Sequence, residues 1–154
     1  MLPTKCACGK AFDIHHALLC STGGDPSLRH NELRDITARL MREVCDDVTT
    51  EPPLQPITGE SLTGRCSNLQ DNARLDIAAS GFWGLGAQRA SLDVRVFNPS
   101  APLHQSTSIH ALFRRQEKEK RRQYEQRVRE IERGSFAPLI FSTSGGIGNG
   151  KCGL

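Results

Sequence analysis

Leu33, Ile36, Leu40 and Val44 recur at spacings of three and four, and Met41 widens the stripe. That is the period of an amphipathic helix, so a helix is predicted over residues 27–45 with this face buried. Pro26 suits its first turn and Asp25 its cap. Leu92, Val94 and Val96 then alternate with Asp93, Arg95 and Phe97, while Leu75 and Ile77 alternate with Arg74, Asp76 and Ala78. Period two predicts strands at 92–97 and 74–79, each with one apolar face. The stretch "FWGLGAQRA" connects them, and residues 57–72 look like a loop. "EPPLQP" leaves an extended edge segment near 48–54. Ile109, Leu112, Phe113, Tyr124, Val128 and Ile131 mark a long helix over 108–132, closed by Gly134 as a C-cap. The apolar run 136–143 is a last strand. The order helix, three strands, helix, strand predicts an α/β fold with helices packed on a mixed sheet. A length of 154 residues suits one modest core.

Aspartate is a poor strand former, yet Asp76 and Asp93 stand in the middle of two strands. If the strands pair with their apolar faces together, both carboxylates emerge on one side. Two carboxylates that close repel, and one takes a proton unless a cation sits between them. A hard divalent ion such as Mg²⁺ resolves the conflict with oxygen ligands. The plainer reading pairs each aspartate with a nearby arginine, Arg74 or Arg95.

The long helix adds an independent clue. Between Phe113 and Tyr124 no residue is apolar, so at about 100° per residue its buried stripe must pass through Gln116 and Lys120. A lysine on a packed face needs either a partner or an exit to water past its stem. Beside two in-register aspartates, a carboxylate–metal–phosphate cluster is the functional reading. Between Arg114 and Arg133 nine Lys/Arg stand against five Asp/Glu, which fits phosphate contacts or a solvated helix face with cross-turn ion pairs.

Cys6, Cys8, His16 and Cys20 form a C-x-C…H-x-x-x-C cluster near the start of the chain. Three thiols and an imidazole suit tetrahedral Zn²⁺, with His15 as an alternative to His16 and His30 as a further ligand or phosphate contact. Cys45, Cys66 and Cys152 are scattered, and no apolar leader precedes the cluster, so metal ligation is favoured over disulfides. No run of about twenty apolar residues predicts a membrane span. Net charge is +3, too small to prove an anionic partner.

Taken in order, "RHN" at 29–31, "RLDI" at 74–77, "DVRV" at 93–96 and Lys120 with Tyr124 resemble the PD-(D/E)xK nuclease superfamily. More narrowly, the chain is similar to the restriction-like endonuclease domain of site-specific non-LTR retrotransposons, in which a Cys-Cys-His-Cys motif precedes these segments. The likeness spans residues 6–144. It departs from the pattern at Leu75, where the family usually carries proline, and at Arg95, where many relatives keep a strand lysine. The resemblance implies a restriction-endonuclease-like core at 25–144, a zinc-knuckle-like module at 1–24 and a glycine-rich, truncated tail at 145–154. It also implies a detached or degenerate copy, whose 136–142 strand would be left with an exposed apolar side.

The activity implied is metal-dependent nicking of DNA. Asp76 and Asp93 would hold Mg²⁺ or Mn²⁺ and Lys120 would serve the reacting phosphate. Arg74, Arg95, Tyr124 and Glu32 would support them, Glu32 as a third carboxylate. Arg114, Arg115, Arg121 and Arg122 would contact DNA, with RNA of the parent element as a further partner. His16 is the implied fourth ligand of a structural Zn²⁺. Neither a membrane nor a small-molecule cofactor is expected, and the expected location is nuclear or cytoplasmic. The alternatives are a non-catalytic nucleic-acid- or protein-binding module and a purely structural zinc protein.

Overall fold

Four strands form one mixed sheet in chain order, crossed by two long helices. The computed structural model describes residues 3–20, 22, 25–60, 62, 66–83 and 88–149, less the side chains of His15, Leu19 and Asp25. Cys152, the middle of "FWGLGAQRA" and the last tail residues lie outside the described residues. The elements are α1 (Ile14–Leu19), α2 (Asp25–Met41), β1 (Asp46–Thr50), β2 (Ile77–Ser80), β3 (Ala90–Phe97), α3 (Ile109–Glu130) and β4 (Ser135–Ser142). β1–β2 and β2–β3 are antiparallel, whereas β3–β4 is parallel, with α3 as the crossover that a parallel pair requires. No helix among the described residues is long and apolar enough to cross a membrane.

α2 covers one face of the sheet. Ala38 and Met41 pack on Ile77, Ala79, Ala90, Leu92 and Ala137. This corrects the expected burial of Leu33, Ile36, Leu40 and Val44: Ile36, Leu40 and Val44 are 44–79% exposed. A small side chain decides the orientation, because Ala38, fully buried, lets the helix approach the alanine-rich β2 closely. The helix also ends at Met41 rather than Cys45, and the first strand begins earlier than expected, at Asp46.

α3 covers the other face. Tyr124 and Val128 pack on Leu54, Ala73, Leu75 and Phe136, while Leu112 and Phe113 pack on Phe97 and Ile140. Ser108 caps its start by accepting from the Ala111 amide. The expected Gly134 cap is corrected. Arg133 takes the left-handed conformation (φ 55), and Gly134 is needed because a Cβ there would lie 2.7 Å from the Arg89 carbonyl oxygen. Leu75 and Ile77 do not share a face as alternation predicts. β2 starts only at Ile77, so Leu75 turns under α3 while Ile77 faces α2.

The glycines after β4 are not a loose tail. Residues 145–149 fold back so that Ile147 bridges Phe141, Gly146 accepts from the Ser142 amide and Gly148 donates to Ile140. Their backbone lies against Phe113, where a Cβ on Gly146 or Gly148 would approach the ring to 3.1–3.2 Å. The apolar side chains of β4 are buried against the helices, Ala137 and Leu139 with the α2 cluster and Phe136 and Ile140 with α3, while the following residues run along its outer edge; the expected exposed apolar side is not seen among the described residues.

Arg127 is completely buried. Its guanidinium donates to the carbonyl oxygens of Asn68, Gln70 and Gln55 at 2.8–3.1 Å, pinning two loop stretches onto α3. It is a structural clamp, not one of the phosphate contacts that the basic stretch suggested.

Candidate functional site

The β2–β3 ladder runs from Ala79–Ala90 to Ile77–Leu92 and then opens. One step further along that register stand Asp76 and Asp93, at the point where the strands part. Asp76 does not rise from the sheet face as alternation predicts. Its Oδ2 accepts from the Val94 amide at 2.6 Å, replacing the next rung of the ladder, and its Oδ1 meets His30 Nε2 of α2 at 2.9 Å. Asp93 does stand on the α3 face, where Lys120 Nζ lies 2.6 Å from its Oδ2.

Burial raises the Asp93 carboxyl above its ordinary range; the Lys120 cation opposes this and the Asp76 charge adds to it. The two aspartates thus sense each other, while Asp93 pairs with Lys120 and Asp76 with the His30 imidazole. The arginine alternative is not what the structure adopts. Arg74 pairs with Glu51 and Arg95 with Glu119.

Lys120 reaches the site because α3 carries it on the stripe Leu112, Gln116, Lys120, Tyr124, Val128. Gln116 is 5% exposed and the Lys120 side chain 16%. Tyr124 packs one turn on, its ring 5.8 Å from that of Phe136, with Lys120 Nζ 5.7 Å from its centre. Glu32, the expected third carboxylate, is exposed on α2. Two residues along a helix turn by about 200°, so the face that brings His30 to Asp76 takes Glu32 away. His30 is the site residue that sequence reasoning left undecided. Its one available signal was its place within "RHN".

A cleft of about 380 Å³ lies over this junction, lined by Ser27, His30 and Asn31 of α2, Arg95 of β3 and Lys120 of α3. Arg114, Arg115, Arg121 and Arg122 are not part of it. They project roughly 100–160° around α3 from Lys120, toward its outer surface.

The bond to Asp76 raises the imidazole pKa of His30 above its ordinary 6.5; burial and Arg34 oppose this, and Asp93 adds to it. A raised pKa means that the folded state holds the proton more tightly than the unfolded chain. The stabilisation is therefore complete below about 6.5 and fades as pH climbs through the folded value. In buffer free of divalent ions, the denaturation midpoint of His30→Gln should fall well short of the native one at pH 5.5 and approach it by pH 8.5. A gap that does not change with pH would remove this assignment.

The second constellation lies in residues 6–20. The ligand atoms of Cys6, Cys8, His16 and Cys20 all lie within 4.8 Å of one another. Cys6 and Cys20 sulfurs are 3.6 Å apart, and Cys8 sulfur is 3.1 Å from His16 Nε2. A tetrahedron with Zn–S near 2.3 Å sets its sulfurs about 3.8 Å apart, so the cluster could hold a metal such as zinc. α1 builds it locally: Asp13 caps the helix through the His16 amide, and Cys20 ends it by bonding to the His16 carbonyl. Among the candidate histidines the structure gathers His16; the His15 side chain lies outside the described residues. Arg29 donates to the Leu18 carbonyl at 2.9 Å, tying this module to α2 one residue from His30.

No protein-family model matches the chain, and no curated protein matches it.

Proposed function

We propose that the chain is a metal-dependent endonuclease domain that nicks DNA, built on a restriction-endonuclease-like core and derived from a non-LTR retrotransposon. The observation that carries this reading is the meeting of Asp76 and Asp93 from adjoining strands with Lys120 from the crossover helix. The element order and the chemistry of the pair agree with it: two hard oxygen donors beside one ammonium suit Mg²⁺ or Mn²⁺ with a phosphate. Such an ion, when bound, lowers the pKa of a water and neutralises charge on phosphate.

The chain's own residues do the rest. Asp76 and Asp93 would hold the ion, and His30 would release Asp76 Oδ1 to make it available. Lys120 would face a phosphate oxygen in the cleft. Arg95 stays charged at every working pH, so it would hold phosphate but not accept a proton. The Cys/His module, loaded with structural Zn²⁺, would steady α2 beside His30 through the Arg29 bond to the Leu18 carbonyl.

On supercoiled plasmid with Mg²⁺ or Mn²⁺, the protein should produce nicked circles. Asp93→Ala should reduce that rate at least a hundredfold while DNA binding persists. Equal nicking by the two proteins ends the reading.

One observation favours a second reading, a non-catalytic nucleic-acid-binding module. His30 and Lys120 already occupy an oxygen of each carboxylate, and the Val94 amide takes the other Asp76 oxygen. In that case neither Mn²⁺ nor Mg²⁺ displaces the internal partners, and titration with Mn²⁺ leaves the protein's thermal midpoint unchanged.

A further inference from the structure

The basic side chains of the cleft are committed: Lys120 to Asp93, His30 to Asp76 and Arg95 to Glu119. A row of cations outside these ion pairs lies on the far side of α3. Arg114, Lys118 and Arg122 follow one another at four-residue steps, all exposed, on the wall of a groove of about 460 Å³ along the outer face. Four residues of helix rise about 6 Å, so these charges stand in one row and repel their neighbours. None forms an ion pair with a described residue. Of the two acids on the same wall, Glu125 is taken by Arg121, and an oxygen of Glu117 stands beside Gly148. Three uncompensated like charges in register are a standing cost on a helix where acids at alternate steps would be cheap.

We infer that the outer face of α3 is a second phosphodiester-backbone site, separate from the cleft, in which Arg114, Lys118 and Arg122 contact consecutive phosphates. The helix lies between this row and the acid pair, so one strand entering the cleft does not serve both. The chain would hold two segments of nucleic acid at once, the outer one without base selection because only its backbone is contacted. The proposal rests on the functional reading only in taking nucleic acid as the partner.

The test uses the full, zinc-loaded chain in buffer without Mg²⁺, Mn²⁺ or chelator, so that it is independent of cleavage. Binding to a labelled duplex, DNA in one arm and RNA in the other, is measured across a salt series. The triple variant Arg114→Gln/Lys118→Gln/Arg122→Gln, whose sites are exposed, should fold as the native protein does by circular dichroism. Its log–log salt slope on DNA should be shallower by about 2–3, near 0.9 per lost phosphate contact. Arg95→Gln, in the cleft, should change the slope by at most about one. A bead-bound duplex should retain a second labelled duplex through the native protein and not through the triple variant. Parallel losses in the DNA and RNA arms support backbone recognition. An unchanged slope in the triple variant, a loss confined to one base sequence, or no retention of a second duplex by the native protein overturns it.

Discussion

Lys120→Met is expected to destabilise the fold by about 3 kcal/mol at neutral pH, whereas Asp93→Asn should leave it as stable or more so. The asymmetry follows from burial. Asp93 is 5% exposed, and desolvation is the largest influence on its carboxyl. Removing the ammonium leaves that carboxylate beside the Asp76 charge with no compensating cation of its own. Removing the carboxylate instead abolishes the desolvation cost and frees a flexible amine that reaches water past its stem. The sign with pH is fixed as well. A carboxyl raised above 3.8 in the folded state costs stability as pH rises from that value through the folded one. Without Lys120 the folded value rises further, so the deficit of Lys120→Met should grow with pH above 3.8 and be larger at pH 7.5 than at pH 4.5. Urea midpoints of the two variants at both pH values provide the measurement. If Asp93→Asn is the more damaging of the two, the pair is a net structural asset rather than a cost retained for function. Coupling this result to the plasmid assay separates the cases: a variant that is more stable yet cannot nick marks a side chain kept for chemistry.

The order of elements was legible because each relies on a local rhythm. Alternation found β3, and the crossover helix announced itself by its length. Lys120 was legible for a stricter reason: the gap between Phe113 and Tyr124 leaves no other route for a 3.6-residue stripe. The face of α2 was misjudged because hydrophobicity was weighed over size. Leu40 and Val44 are more apolar than Ala38, but only a small side chain admits the close approach that the sheet imposes. Asp76 escaped the alternation rule because its strand has not yet begun. Its carboxylate substitutes for a rung of the ladder, a role set by where two strands separate and not by either strand alone. Arg127 was hidden by its charge. In a basic run it looks like one more phosphate contact, and only the fold brings three carbonyl oxygens to it.

Removing the metal from the Cys/His module should cost more than any single substitution in the sheet, but its effect should stay local. Purified, reduced protein should carry about one Zn²⁺ per chain, and Co²⁺ in its place should give the visible absorption of a tetrahedral thiolate site. Three cysteine sulfurs and one imidazole converge there without enough apolar residues around them to form a core of their own. Metal binding would then be the folding energy of residues 3–20, of the order of 10–16 kcal/mol in comparable small modules. Chelation should abolish amide protection in α1, since Cys20 and His16 shape that helix only while their side chains are drawn together. The amides of β3 and β4 should keep theirs, because the module joins α2, through contacts such as the Arg29 bond to the Leu18 carbonyl, and not the sheet strands themselves. Substitution sorts the ligands. Cys20→Ser or His16→Ala should release the metal, whereas His15→Ala should retain it. Less than half an equivalent of zinc on the native protein, or retention by His16→Ala with loss by His15→Ala, would overturn the ligand set. If chelation also stripped protection from β3, the module would be an integral wall of the core, and the zinc site would bear on the position of His30 through Arg29.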